Sequence, residues 1–278
     1  MTEKPLVSVL MTAYNREKYI GAAIESVLAS TYANFEIIIT DDGSKDKTLE
    51  IVKEYTAKDQ RVKLFINEVN LGDYPNRNKA ASHAQGKYLK YVDADDLIYP
   101  WGLELLVNMM EQFPDAGWGL CSIEQDVSQK FPIQLSPAET YRYHYYKWGI
   151  FAKAPLSSII KKDVFDAVGG FANYRMVGDF EMWNKLAQKF PVVLMPHGIV
   201  WYREHDDQES NHQRKFSSLY AKLGVDYLRH SDCPLSKEDA QQIISMRKKM
   251  FVKKIISSLL KLKFNLAVDN YRILKEHF

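Results

Sequence analysis

Residues 6–16, LVSVLMTAYNR, and residues 35–44, FEIIITDDGS, decide the fold. In each, a short apolar run ends abruptly in polar residues. Between them a stretch with helical spacing runs from about Lys18 to Ser30, where Ile20, Ile24, Val27 and Leu28 share a face. The pattern then repeats. A helix capped by Ser44 or Asp46 runs to about Ala57, a third strand covers Val62 to Ile66, a helix lies near Pro75 to Ala84, and a fourth strand covers Tyr88 to Val92. Nearly continuous apolar strands separated by amphipathic helices require a parallel sheet covered on both faces, because a parallel crossover needs a helix to return the chain. Residues 1–98 therefore read as an α/β half of the kind that takes nucleotides.

Beyond Asp96 the rhythm changes. Pro100 suits the first turn of a helix reaching about Phe113, and the chain to Ala154 reads as aromatic and irregular. Tyr141, Tyr143, Tyr145, Tyr146 and Trp148 cluster there, either as core or as a wall on which sugar rings stack. A helix near Asp179 to Phe190, strands near Val192 to Leu194 and Ile199 to Tyr202, and helices from about Gln213 onward complete the reading. The expected division is a domain over 1–212, with halves at 1–98 and 99–212, followed by a helical extension over 213–278.

A chain of 278 residues with 46% hydrophobic and 26% charged residues can bury a sizeable core, and disordered and collagen-like classes drop out. A net charge of +2 excludes a globally basic nucleic-acid binder. The balance is uneven, however. From Arg247 to Phe278, nine Lys and Arg against Asp269 and Glu276 give +7 and leave −5 for the rest. This tail carries Met250, Phe251, Ile255, Ile256, Leu259, Leu260, Leu262 and Phe264 at helical spacing, so it either packs on the body or lies on an anionic membrane surface. Cys121 and Cys233 are far apart and outside any CxxC, which favours reduced thiols over a disulfide framework or a zinc site. No apolar run approaches the roughly 18 residues of a membrane span, and MTEKPLVSVL does not read as a signal peptide, so a cytoplasmic location is expected.

In an open parallel sheet, ligands bind beyond the carboxyl ends of the strands. Here those ends are Ala13-Tyr14-Asn15-Arg16, Asp41-Asp42-Gly43-Ser44, Asn67 with Asn70-Leu71-Gly72, and Asp93-Ala94-Asp95-Asp96. Carboxylates crowded along one sheet edge repel unless a counter-charge intervenes, and all-oxygen ligands favour Mg²⁺ or Mn²⁺. Asp93 and Asp95 flank Ala94, and where the chain turns there one can grip a ribose while the other reaches a metal. An acidic tetrapeptide alone is also an ordinary capping turn. The chain has neither a P-loop nor a GxGxxG turn, and no GxSxG or HExxH. Phosphate would therefore rely on a cation and on scattered basic groups such as Arg77, Arg203, His205 and Arg214.

Taken in order, these residues resemble the family 2 glycosyltransferases of the GT-A fold. The resemblance is carried by Val7-Ser8-Val9 with Tyr14-Asn15-Arg16, by Glu36-Ile37-Ile38 through Asp41-Asp42-Gly43-Ser44 with Asp46 and Thr48, and by Asn70-Leu71-Gly72 with Arg77-Asn78. It continues through Asp93-Ala94-Asp95-Asp96, Val168-Gly169-Gly170-Phe171, Gly178-Asp179-Phe180-Glu181-Met182-Trp183 and Trp201-Tyr202-Arg203-Glu204-His205, spanning roughly residues 5–210.

The resemblance implies a Rossmann-like, mostly parallel sheet with helices on both faces and an inverting, metal-dependent transfer of a sugar from a nucleoside diphosphate, usually uridine diphosphate. The acceptor would be a hydroxyl of a glycan or a lipid-linked glycan, as in surface polysaccharide assembly. Thr12, Ala13 and Tyr14 would border the base, with Asn15, Arg16, Asp42, Asn70, Gly72, Arg77 and Ala94 completing the nucleotide site. Asp41 would hold the uracil edge and Asp93 the ribose. Asp95 and His205 would bind Mn²⁺ or Mg²⁺, and Asp179 would be the catalytic base. Gly169, Gly170, Phe171, Gly178 and Trp183 would form the acceptor side. Gly178 stands where the family usually has an acidic residue, which puts that residue's contribution in doubt. A sugar nucleotidyltransferase or a non-catalytic nucleotide-sugar-binding scaffold are the alternatives. Peripheral membrane contact through 247–278 and a homodimer are both compatible with the sequence.

Overall fold

A computed structural model describes residues 4–124, 128–147, 149–205 and 215–278. The expected alternation opens the chain: β1 (Val7–Ala13), α1 (Ile20–Leu28), β2 (Phe35–Asp41), α2 (Thr48–Lys58), β3 (Val62–Ile66), α3 (Asp73–Ser82) and β4 (Tyr88–Tyr91). Then follow β5 (Leu97–Ile98), α4 (Gly102–Glu111), β6 (Trp118–Ile123), β7 (Ile133–Leu135), α5 (Pro137–Lys147), β8 (Ser158–Lys161), α6 (Lys162–Ala167), α7 (Gly178–Lys189), β9 (Val192–Pro196) and β10 (Val200–Trp201). Three helices close the chain: α8 (Ser217–Arg229), α9 (Lys237–Leu260) and α10 (Phe264–His277).

One eight-stranded sheet has the order β3-β2-β1-β4-β8-β6-β9-β7. β1 pairs in parallel with β2 and β4, β2 with β3, and β6 with β9, while β8 and β7 run antiparallel to their neighbours. The sheet thus passes without a break from the first half of the chain into the second. Its two faces separate with the period of two that a pleated strand imposes. Val7, Val9, Met11, Ile37, Ile39, Val193 and Met195 enter one core, whereas Leu10, Ile38, Trp118, Leu120, Ile160, Val192 and Leu194 enter the other. Every residue of β2 is buried, as a strand covered on both faces requires.

The stretch read as irregular, up to Ala154, instead holds β6, β7 and α5. Tyr141, His144 and Tyr145 are buried on α5 at spacings of three and four, and the intervening Tyr143 and Tyr146 obscured that period. Tyr141 and Tyr145 are fully buried and belong to the core, Tyr143 packs partly buried against it, and Tyr146 is exposed; Trp148 lies outside the described residues.

The basic tail is a helical hairpin. Ser236 caps α9 by accepting the Asp239 amide hydrogen at 3.0 Å, and α10 folds back along α9. Ala240, Ile243 and Ile244 join the same core as Trp118 and Leu194, so the first half of α9 packs on the body. The 212/213 boundary lies outside the described residues. Among the described residues no helix is long and apolar enough to cross a membrane.

Candidate active site

The carboxyl ends of β1, β2 and β4 open into a cleft of about 720 Å³. Thr12, Ala13, Tyr14 and Arg16 line it from the end of β1, and Asp42, Asn70 and Gly72 from the ends of β2 and β3. Asp93, Ala94, Asp95 and Asp96 line it from the end of β4, and Asp179 from the first turn of α7.

The loop after β2 is held by its own carboxylates. Asp42 accepts the amide hydrogens of Leu71 and Gly72 at 2.8 and 2.9 Å and the Asn67 side-chain amide at 2.8 Å. Gly72 has φ +83, a left-handed value that a side chain would strain, and this turn starts α3 at the cleft. Asp41 departs from expectation. It is fully buried, and its oxygens accept the Gly43 and Ser44 amides and the Ser44 hydroxyl, so it shapes the loop and is not a wall of the cleft. Asn15 likewise braces loops: its amide donates to Ser44 Oγ at 2.9 Å and its Oδ1 accepts the Lys45 amide at 2.8 Å.

α3 carries the buried Arg77, which bridges two carboxylates: Nε donates to Asp73 at 2.7 Å and a terminal nitrogen to Asp93 at 2.6 Å. A guanidinium committed in this way fixes Asp93 and is not a mobile phosphate ligand. The β5–β10 ribbon, with Leu97 opposite Trp201 and Ile98 opposite Val200, brings the segment after β10 back onto the acidic loop. Arg203 donates its amide to Asp96 at 2.8 Å and Nε to the Asp95 carbonyl at 2.8 Å. His205 Nε2 lies 3.1 Å from Asp95 Oδ2, the same oxygen that accepts Arg16 Nε at 3.0 Å, and the His205 ring stacks on Tyr19. Burial, then the charge of Asp93, push the Asp96 pKa well above the ordinary carboxylate range. Arg214 lies outside the described residues.

Asp179 lines the same cleft from the first turn of α7. Its Oδ1 accepts the Phe180 amide at 2.7 Å, and the Tyr74 phenol lies beside it. Burial pushes its pKa up to about 7 against the lowering pull of the Phe180 amide, Arg77 and Tyr74. Gly178 proves to be a packing requirement: a Cβ there would stand 2.6–2.8 Å from the ring carbons of Tyr74. The other expected acceptor residues lie behind the wall. Trp183 is fully buried, stacks on Trp118 with ring centroids 5.5 Å apart, and donates to the Lys153 carbonyl. Phe171 is buried against Tyr74, Tyr91 and Phe165, and Gly169 and Gly170 shape the turn before it with φ +76 and +66. Large aromatics adjoining the sheet were drawn into the core by the area they bury. Asp73, Tyr74, Lys153 and Tyr220 line the cleft without having been singled out from sequence. Only Asp73 and Tyr74 lay near a motif, immediately after Asn70-Leu71-Gly72.

Residues 8–169, more than half of the chain, match the family described as Glycosyl transferase family 2. The chain belongs to that family. An uncharacterized glycosyltransferase of Haemophilus influenzae is 30% identical over 237 residues, 77% of this chain and 71% of that protein. The Escherichia coli enzyme WfgD, a UDP-Glc:alpha-D-GlcNAc-diphosphoundecaprenol beta-1,3-glucosyltransferase, is 42% identical over 105 residues, 38% of this chain and 41% of the enzyme. A second H. influenzae glycosyltransferase is matched over 50% of its length. Among solved structures, S. aureus TarS 1–349 in complex with UDP-GlcNAc aligns with a TM-score of 0.71 at 19% identity, covering 95% of this chain and 79% of that one. The mannosyltransferase PcManGT from Pyrobaculum calidifontis, in complex with GDP-Man and Mn²⁺, aligns at 0.64 and 17% identity, covering 96% and 81%. The α/β sheet with its flanking helices is the GT-A fold of this glycosyltransferase family.

Among the described residues of this glycosyltransferase no three metal-donor side chains converge. Asp95 and His205, 3.1 Å apart, supply two donors of suitable type, and a small divalent cation beside a diphosphate commonly takes one or two protein ligands, with phosphate oxygens and water filling its shell. The residues present fit such an ion.

Proposed function

We propose that the protein is an inverting glycosyltransferase that moves a sugar from a nucleoside diphosphate, a uridine diphosphate sugar in the first instance, to a hydroxyl of a glycan or lipid-linked acceptor in polysaccharide assembly. The observation that carries this reading is the placement of Asp95 and Asp179 on one cleft. The ligands in complex with TarS, UDP-GlcNAc and UDP, and the activity of WfgD support the donor class.

Tyr14, half-exposed at the mouth, supplies a ring face for the base, and Asp93, fixed by Arg77, accepts from a ribose hydroxyl. Asp95 and His205 would hold a divalent cation, which offsets charge on the departing diphosphate and orients the donor. Asp179 takes the proton of the acceptor hydroxyl as the new bond to the anomeric carbon forms. The diphosphate leaves on the opposite side with the bonding electron pair, which inverts the anomeric centre. A base near pKa 7 suits that task at neutral pH, half ionised and able to hold the proton it receives. The scaffold reading drew on Gly178 alone, and the Tyr74 ring accounts for that glycine.

The test is Asp179→Asn. Binding of uridine diphosphate with Mn²⁺, followed by calorimetry, should stay within a few-fold of wild type, while transfer falls by about 10² to 10⁴, the usual worth of a general base. Wild-type turnover in the variant would assign the base elsewhere.

A further inference from the structure

α7 presents consecutive residues to two different spaces. Asp179 lines the cleft, and Phe180 lines a second cavity of about 1080 Å³ between the body and the helices α8, α9 and α10. Ala152 and Tyr220 belong to the walls of both. The Tyr220 hydroxyl donates at 2.7 Å to the carbonyl of Met176, which lines the cleft, so a few side chains separate the two spaces.

The second cavity is cationic. Lys215, Arg247, Lys254, Lys261, Lys263 and Arg272 line it against the single acid Asp269. Arg247 is buried, its guanidinium 4.6 Å from the centre of the Tyr145 ring. Its charge reaches its neighbours: burial first, then Arg247, hold Lys254 below its ordinary pKa and hold His144 far below its own. His144 is thus neutral, and because its Nδ1 accepts the Phe151 amide at 3.2 Å, its Nε2 carries the hydrogen. That Nε2–H is buried and finds no acceptor in the protein. A bound anion would relieve the crowding of like charge and satisfy the donor together. Phe251, Leu266 and Ile273 give the cavity an apolar side, while Ser217, Ser218, Ser257, Ser258 and Asn270 add hydroxyl and amide groups to its lining.

We propose that this cavity binds a phosphoryl group, the anionic part of an acceptor whose hydroxyl reaches Asp179; the assignment to the acceptor rests on Asp179 being the base. Several cations spread around a space of this size fit the many oxygens of a phosphate or diphosphate ester better than one carboxylate. The apolar lining takes the carbon skeleton attached to it. Such a group can arrive on a lipid or on a soluble phosphorylated glycan.

The experiment titrates two probes in the presence of EDTA: inorganic pyrophosphate, and dihexanoyl-phosphatidylglycerol below its micelle concentration. Wild type is compared with Lys254→Glu/Arg272→Glu, which reverses two lining charges. Lys249→Glu/Lys253→Glu serves as control, since it reverses two exposed charges of the same helix outside the cavity. Wild type and control should bind at least one probe, with the lining variant weaker by about tenfold or more. Binding of pyrophosphate identifies a soluble phosphoryl ligand, and binding of the lipid alone identifies a lipid headgroup. Equal affinity in all three proteins, equal weakening in both variants, or no binding of either probe overturns the proposal. Uridine diphosphate with Mn²⁺ should bind all three proteins alike; its failure on wild type would count against the donor cleft and not against the cavity.

Discussion

At the scale of single residues, Gly178, Tyr74 and Asp179 form one arrangement. A side chain at 178 would collide with the Tyr74 ring, so an acidic residue there and a tyrosine in this pose exclude each other. What the glycine admits is a phenol beside Asp179, and its hydroxyl stays protonated because burial, then the Asp179 charge, push its pKa far up. Burial is the largest effect on Asp179 and raises its pKa; the Phe180 amide, Arg77 and Tyr74 lower it, and Asp73 raises it further. A base must be ionised to accept a proton, so transfer should rise with pH through about 7 and level off above it. Tyr74→Phe removes a hydroxyl that lowers the Asp179 pKa. The rising limb should then move to higher pH, with a several-fold loss of rate at neutrality that recovers in alkaline buffer. A uniform loss at all pH values would reduce Tyr74 to a packing residue. That Asp179 would line the cleft was legible, because its motif is local. The part played by Tyr74 was not, because it depends on the Tyr74 ring meeting Gly178, a tertiary contact with no sequence period.

Among the elements, the first four strands were readable because each is an apolar run that ends in polar residues, with β1, β2 and β4 buried on both faces and β3 partly exposed at the sheet edge. β6, β7 and α5 were not, because aromatic side chains on both sides of α5 blur its helical spacing. The readable strands still hide a polar device. Glu36, on β2, accepts Ser8 Oγ of β1 at 2.6 Å, Lys63 Nζ of β3 at 2.7 Å and the Gln85 amide ahead of β4 at 2.9 Å. Ser8 Oγ in turn accepts the Gly86 amide. Burial alone would raise the Glu36 pKa, yet the hydrogen bonds from Lys63, Ser8 and Gln85 hold it below the ordinary value. A depressed carboxylate contributes stability that is present above its unfolded pKa and is lost as pH falls through the folded one. Glu36→Ala should therefore cost about 1–3 kcal/mol in urea unfolding at pH 7, since it strands buried donors, and the difference from wild type should shrink below about pH 4. A constant difference across that range would mean that the glutamate acts through its packing and not its charge.

At the scale of the whole molecule, the α9–α10 hairpin ends in a turn unlike the rest of the surface. Leu260 is 81%, Leu262 75% and Phe264 59% exposed, interleaved with Lys261 and Lys263, and Leu262 has φ +55, a conformation leucine seldom adopts. The apolar residues of the tail were legible as periodic, but which of them would pack was not, because that depends on where α9 leaves the body. Its first half is spent on the core and Lys254 lines the cavity, which leaves the tip and the outer face as the solvent-facing apolar and basic surface of the hairpin. Alternating leucine and lysine at one protruding end is the composition that enters the headgroup region of an anionic bilayer. Half of the roughly 1.5 kcal/mol that burial gives one such side chain, over three side chains, amounts to about tenfold or more in affinity. Wild-type protein should sediment with phosphatidylglycerol vesicles, less so as salt rises, because the lysine attraction is screened over about 8–10 Å. Leu260→Ser/Leu262→Ser/Phe264→Ser should lose at least that factor while binding uridine diphosphate with Mn²⁺ unchanged. Equal sedimentation of the two proteins would show that the hairpin tip does not meet the membrane, and the outer faces of α9 and α10 would be left as ordinary solvated surface.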